Sequence, residues 1–315
     1  MRPIVKFWRT NGIDIVLYLD DGLGFGKDLK SCVSASNFVQ ESLVQAGLKI
    51  NTEKSIFQSN QCLEWLGMVW DSNLFCLSIP QRRIADTNSS INFLIDRFPN
   101  VTGRDLAKAI GKIISMSPVV GNVTNLMTRH MYLAIESRTH WDCFLSFLFP
   151  EPVKQELQFW AKNLNLLNQK RLECESLPVT LVFSDASDIA VGAFTVETNE
   201  KVFHKAWSKH ECAQSSTWRE LKAIQLALKS YACSFVGKSL LWHTDNQNCE
   251  KIVQRGSTKL HLQNLALSIF SKCVEKCISL NILWIPRSQN TKADYISNLV
   301  DYEDKQTTED FFSFC

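Results

Sequence analysis

VTLVFSDASDIAVGAFTVETNEKVFHKAW, residues 179–207, reads as three consecutive strands, VTLVFSD, AVGAFTVE and KVFHKAW, the last two joined at Thr198-Asn199-Glu200. Each run is rich in β-branched and aromatic residues and is bounded by Asp, Ser or Asn, as expected of half-buried strands between turns. Beyond Trp207 the period changes. A helical stretch from about Ser215 to Ser234 is followed by a strand, SLLWHTD, and by helical stretches near Asn246 to Gln254 and Lys259 to Cys277. A last strand, NILWIP, and a short final helix close the pattern. Three antiparallel strands followed by alternating helix and strand require a mixed sheet, so the expected fold class is α/β, a mixed five-stranded sheet with flanking helices.

Four acidic residues occupy four distinct settings in this region. Asp185 ends one β-type run, Asp245 ends another and Glu220 opens the long helical pattern, while Asp294 stands in TKADYIS. Strand ends and helix starts are places from which a sheet presents carboxylates to one point. Taken singly, each acid is an ordinary turn, cap or surface residue. Taken together without a counter-charge they repel, which raises proton affinities and costs local stability. A converged set suits hard divalent cations, Mg²⁺ or Mn²⁺, which prefer carboxylate oxygen and tolerate retained waters.

Motifs and element order over residues 178–300 resemble the ribonuclease H family. That resemblance implies that Asp185, Glu220, Asp245 and Asp294 bind two Mg²⁺ or Mn²⁺ ions. It also implies endonucleolytic hydrolysis of the RNA strand of an RNA/DNA hybrid, by two cations that activate water and stabilise the leaving oxygen. Ser184, Ser187, Ser216, Asn246 and Gln247 flank the acids and are candidates to meet phosphate or the 2′-hydroxyl. Where many family members carry a histidine, WIPRSQN offers Arg287 and Ser288, and Arg287 joins the candidate nucleic-acid contacts. Trp207, Trp218, Trp242 and Trp284 fall in strand or helix patterns and read as core more than as stacking platforms.

Upstream, YLDDGLGFG at residues 18–26 places paired aspartates at a hairpin tip after an apolar strand. This resembles the YxDD signature of reverse transcriptases, with Tyr18, Asp20 and Asp21 in its positions. AGLKINTEKSIF resembles the next palm motif, with Lys54 as its lysine, and LEWLGMVW resembles the primer-grip strand pair. The whole chain resembles the reverse transcriptase and RNase H portion of a retroelement, closest to the DIRS-type, tyrosine-recombinase class, from which Asn298 and Lys305 depart. The implied organisation is a partial palm at 1–79, a helical thumb or connection at 80–175, an RNase H-like domain at 176–300 and an acidic tail at 301–315. A palm also needs a third carboxylate from an earlier strand, which Asp14 on the same hairpin does not replace, so DNA synthesis by this polypeptide alone is not expected. Two alternatives stay open: a catalytically silent, truncated nucleic-acid-binding product, or a reverse transcriptase that needs an N-terminal part, or association with its remaining polyprotein, for RNA-directed DNA polymerisation.

At the N-terminus, PIVKFW, an Asn11-Gly12 turn and IDIVLYL read as a β-hairpin, followed by a helix from about Asp28 to Ala46. The stretch from Lys54 to Pro80 reads as short strands and that from Gln81 to about Leu172 as mostly helical. In the latter, Arg82, Arg83, Arg104, Lys108, Lys112, Arg129 and His130 either follow a phosphate backbone or form an ordinary solvated face. At 315 residues and 45% hydrophobic content the chain is globular. A net charge of +2 means that any nucleic-acid footprint is local. The 11 cysteines form no CxxC pair and, with no signal peptide or bilayer-spanning run, point to a reduced cytoplasmic or nuclear compartment without secretion or membrane insertion.

Overall fold

The computed structural model describes residues 2–172, 179–197 and 200–299. Thr198 and Asn199 of the expected turn, residues 301–315 of the expected acidic tail, and Lys305 lie outside the described residues. The chain divides into two compact units. One comprises Met1–Asn92, Pro118–Val120 and Ala161–Cys174, the other Phe93–Ser117, Gly121–Trp160 and Glu175–Cys315. Residues 80–175, read from the sequence as one helical region, contribute to both.

The first unit begins with a helix, Arg2–Thr10, where the sequence suggested a strand. Ile4, Val5 and Trp8 share one face of it, and Trp8 is buried with its indole donating to Ser42 Oγ at 2.6 Å. Asn11-Gly12 does not turn a hairpin. Gly12, at φ 77°, ends the helix while its N–H reaches Arg9 O and that of Ile13 reaches Trp8 O, a Schellman cap. The hairpin forms one element later, Asp14–Tyr18 against Asp21–Phe25, with Tyr18 paired to Asp21 and Leu19-Asp20 at the tip. A helix, Leu29–Gln45, follows and is opened by an Asp28/Ser31 capping box.

Cys62–Trp65, Met68–Asp71 and Cys76–Ser78 form an antiparallel sheet joined by Lys170–Arg171 as its fourth strand. That last strand lies within the stretch read as helical, because Leu77 and Cys76 offer it an open edge. Side-chain bonds brace the join: Asn168 Oδ1 accepts from Ile79 N at 2.6 Å and its Nδ2 donates to Ile79 O at 3.0 Å.

The second unit is built on a mixed sheet of five strands: β1 (Val179–Ala186), β2 (Ala190–Val196), β3 (Val202–Ala206), β4 (Ser239–Thr244) and β5 (Ser279–Trp284). Their order across the sheet is β5-β4-β1-β2-β3, with β1, β2 and β3 antiparallel and β4 parallel to both neighbours. The fold class is therefore the expected one. Helices α1 (Ser216–Ser230), α2 (Gln247–Arg255) and α3 (Leu260–Glu275) bury one sheet face. There Val182, Ala193, Leu240 and Trp242 pack with Leu221, Ile224, Phe235 and Ile269, all nearly inaccessible.

A fourth helix, α4 (Thr291–Ser297), lies on the opposite face and packs Ala293 and Ile296 against Phe194. Gly192 in β2 permits that contact. A Cβ there would come within 2.4 Å of Ser297 N and 2.6 Å of Ala293 O, both backbone atoms that cannot swing aside.

The helices at 93–160 within this unit are tied to the same body. Leu126 joins the sheet core, and Gln263 of α3 donates to Leu126 O at 2.9 Å. The buried Glu156 carboxylate accepts from the N–H groups of His130 and Met131 and bonds His130 Nδ1 at 2.8 Å, capping the helix Arg129–Glu136. Among the described residues no helix is long and apolar enough to cross a membrane.

Candidate active site

β1 and β4 run parallel in a register that pairs Phe183 with His243, so Asp185 and Asp245 extend from the same edge of the sheet. Helix α1, capped by Ser215, supplies Glu220 from its second turn. Asp185, Glu220 and Asp245 each offer a carboxylate oxygen, and these oxygens all lie within 4.8 Å of one another. Asp185 and Glu220 are 4% exposed and Asp245 is partly buried. One oxygen, Glu220 Oε2, is buried with no hydrogen-bond partner.

The electrostatics follow from this crowding. Burial, and then the charges of Asp185 and Asp245, hold the Glu220 carboxyl well above the usual carboxylate range. Burial also raises Asp185, against the hydrogen bond from Ser297 and with the charges of Asp245 and Asp294 adding to it. Asp245 is raised chiefly by burial, opposed by Arg287. Uncompensated, three carboxylates so placed oppose folding. A cluster of hard oxygen donors with an orphaned buried oxygen fits a hard divalent cation.

Neighbouring residues fix the acids in place. Ser297 Oγ donates to Asp185 Oδ2 at 2.6 Å, and Trp284 Nε1 to Asp245 O at 2.9 Å. Asn290 Nδ2 donates to Ser184 O at 2.9 Å, binding the start of α4 to β1. None of Ser297, Asn290 and Gly192 stood out in the sequence; a glycine inside a strand was the one available signal of close backbone approach.

Asp294, delivered by α4, stands outside the 4.8 Å cluster, and its Oδ1 accepts from Arg287 Nη2 at 2.5 Å. Ser184 is fully buried and accepts from Trp242 Nε1 at 2.8 Å, so it is no surface contact for phosphate. The Ser187 hydroxyl donates to Ser297 O at 2.6 Å and accepts from the Ile189 and Ala190 N–H groups, which places it in the β1–β2 turn. Asn246 caps α2 through Asn248 N, while Ser216 and Gln247 are exposed. Trp207 and Trp242 are buried as expected, whereas Trp284 is 40% exposed.

Four of the basic residues of the middle region have acidic partners within their own unit. Arg82 pairs with Glu64, Arg104 with Asp142, Lys108 with Asp105, and His130 is buried on Glu156. In the first unit, Tyr18, Asp20, Asp21 and Lys54 are all exposed, the two aspartates at and beside the hairpin tip.

No protein-family model matches the sequence, and no curated protein matches it. Among solved structures the chain is similar to RNase H1 from the halophilic archaeon Halobacterium salinarum NRC-1, at 18% identity and a TM-score of 0.32 over 38% of this chain and 95% of that one. It is also similar to the foamy viral protease-reverse transcriptase in complex with an RNA/DNA hybrid, at 12% identity and a TM-score of 0.45 over 97% of this chain and 39% of that one. A third match, the foamy viral protease-reverse transcriptase dRH in complex with double-stranded DNA, has 14% identity and a TM-score of 0.45 over 90% of this chain and 48% of that one. The chain thus spans less than half the length of either viral chain.

Proposed function

We propose that the second unit is a divalent-metal-dependent nuclease that hydrolyses the RNA strand of RNA/DNA hybrids. Its chain would derive from the reverse transcriptase and RNase H part of a DIRS-type retroelement. The observation that carries this reading is the meeting of Asp185, Glu220 and Asp245 within 4.8 Å, largely buried, with one Glu220 oxygen unpartnered. Such a cluster destabilises a fold unless a cation occupies it, so its presence points to Mg²⁺ or Mn²⁺. When bound, the metal supplies a Lewis acid for the phosphoryl oxygens and lowers the proton affinity of attacking water.

The protein's own part is positioning. Ser297 holds Asp185 and Trp284 anchors the Asp245 backbone, while α1 brings in Glu220 and α4 brings Asp294 nearby as the fourth carboxylate. Exposed Ser216, Gln247 and Arg287, together with the partly buried Asn246, are assigned to the sugar-phosphate backbone of the hybrid. The first unit, with Tyr18, Asp20, Asp21 and Lys54, is read as palm-derived. RNA-directed DNA synthesis would then fall to it only together with the remaining retroelement polyprotein.

A labelled RNA/DNA hybrid incubated with the purified chain in Mg²⁺ or Mn²⁺ tests the proposal, with single-stranded RNA and duplex DNA as controls. Cleavage confined to the RNA of the hybrid is expected; equal cleavage by the wild type and Asp185→Asn would sink it. One observation favours a second reading, a module that grips hybrid without cutting: the Arg287–Asp294 ion pair occupies one of the four acids. Salt-sensitive hybrid binding with no cleavage in either metal would establish that reading.

A further inference from the structure

The nuclease reading assigns Arg287 to hybrid phosphate but gives no role to its ion pair with Asp294. Arg287 sits in the short turn Arg287–Gln289 between β5 and α4, with its Nη2 on Asp294 Oδ1 at 2.5 Å. Its charge reaches Asp185 and Asp245 too, opposing the rise that burial gives both carboxyls. The acids at this edge therefore fall into two kinds. Asp185, Glu220 and Asp245 form a tight cluster with an unpartnered buried oxygen, while Asp294 stands outside it with a guanidinium already in place.

We infer that Arg287 is a built-in counter-ion that competes with a second divalent cation for Asp294, leaving the Asp185–Glu220–Asp245 cluster as the tight single-ion site. This rests on the metal-site reading above. An ion entering the cluster relieves buried, mutually repelling oxygens and has no ion pair to break. An ion that uses Asp294 as a ligand must first break its pair with Arg287 and then bear the repulsion of that nearby charge. Because Arg287 is 74% exposed its hold is modest, so it weakens the second ion in a graded way and does not block it. A guanidinium that merely stapled the start of α4 would leave ion binding untouched. One that served only hybrid phosphate would change hybrid affinity and not metal affinity.

The test is Mn²⁺ binding to the purified full chain without nucleic acid, read from the electron paramagnetic resonance of free Mn²⁺. Wild type is expected to take one tight ion and a weaker second one. In Arg287→Ala the second ion binds about three- to fivefold tighter, the scale of one exposed ion pair, while the first changes little. Arg287→Lys stays close to wild type, and Asp294→Asn in the Arg287→Ala background abolishes the gain. An unchanged second affinity in Arg287→Ala, or a gain that survives Asp294→Asn, overturns the inference. Asp185→Asn separates it from its foundation. If that variant keeps the tight ion, the metal-site reading fails and this inference with it; if it loses the tight ion while Arg287→Ala changes nothing, only the counter-ion role fails.

Discussion

The hairpin with Asp20 and Asp21 and the sheet edge with Asp185 and Asp245 both present two aspartates where strands end, yet their surroundings are opposite. The hairpin is a two-stranded ribbon whose acids are exposed, so water solvates them and their charge costs the fold little. The edge belongs to a five-stranded sheet covered on one face by α1, α2 and α3, and there Asp185 is 4% exposed beside the equally buried Glu220. A carboxylate becomes chemically demanding when it is buried among others of its kind, not when it belongs to a recognisable motif. The strongest test of that contrast is Asp185→Asn. Even outer-shell changes at metal sites cost about 10–100-fold, so loss of this carboxylate should lower hybrid cleavage by at least about a hundredfold. Retention of more than a tenth of the wild-type rate would break the comparison.

The same contrast makes a prediction about stability. Carboxyls raised in the folded state bind protons more readily folded than unfolded. Their penalty is absent below the ordinary carboxylate values, 3.8 for aspartate and 4.5 for glutamate, and grows as pH climbs from there to the raised values. The metal-free protein should therefore melt at a lower temperature at pH 8 than at pH 5, and Glu220→Gln should flatten that slope. A divalent ion at a hundred times its dissociation constant should restore about 2.7 kcal/mol at pH 8. For a body of this size that is roughly 5–10 °C in a calorimetric melt. A wild-type profile that is flat with pH, or indifferent to Mn²⁺, would remove the physical basis of the site.

Much of this was legible in the sequence because it rests on local pattern. Strand runs such as VTLVF and SLLWHT alternate as a sheet demands, and their ends mark where Asp185 and Asp245 emerge. The first helix was missed because Ile4-Val5 and Phe7-Trp8 are adjacent apolar pairs that suit either period, and because Asn-Gly serves equally as a hairpin turn or a helix stop. Ser297 and Trp284 lay out of reach for another reason. Each acts on an acid 112 or 39 positions away, and such pairings exist only after the sheet has formed. Arg287 was noticed as a departure, but nothing in a loop sequence states which carboxylate it will meet.

A smaller effect, about 1–3 kcal/mol, is expected of Gly192→Val, whose branched side chain would press on the Ser297 N–H and Ala293 carbonyl. Displacing α4 also loosens the Ser297 bond to Asp185, so cleavage should fall together with thermal stability. If cleavage survives while stability falls, α4 is a scaffold element and the site ends at three acids.

The smallest effect belongs to the other member of the pair. Asp20→Asn and Asp21→Asn change exposed carboxylates at and beside a two-residue tip whose geometry is set by the Leu19 backbone at φ 54° and by the ladder from Asp14 to Phe25. No buried charge is relieved and no cluster is broken, so surface-level changes within about 0.5 kcal/mol are expected in a denaturant melt. Hybrid cleavage by the double variant should stay within about twofold of wild type, since these aspartates belong to the other compact unit and share no hydrogen bond or ion pair with the cluster of Asp185, Glu220 and Asp245. A loss of tenfold or more would show that the hairpin acids serve the same chemistry as Asp185 and Glu220, and the contrast between a solvated motif and a buried site would no longer hold.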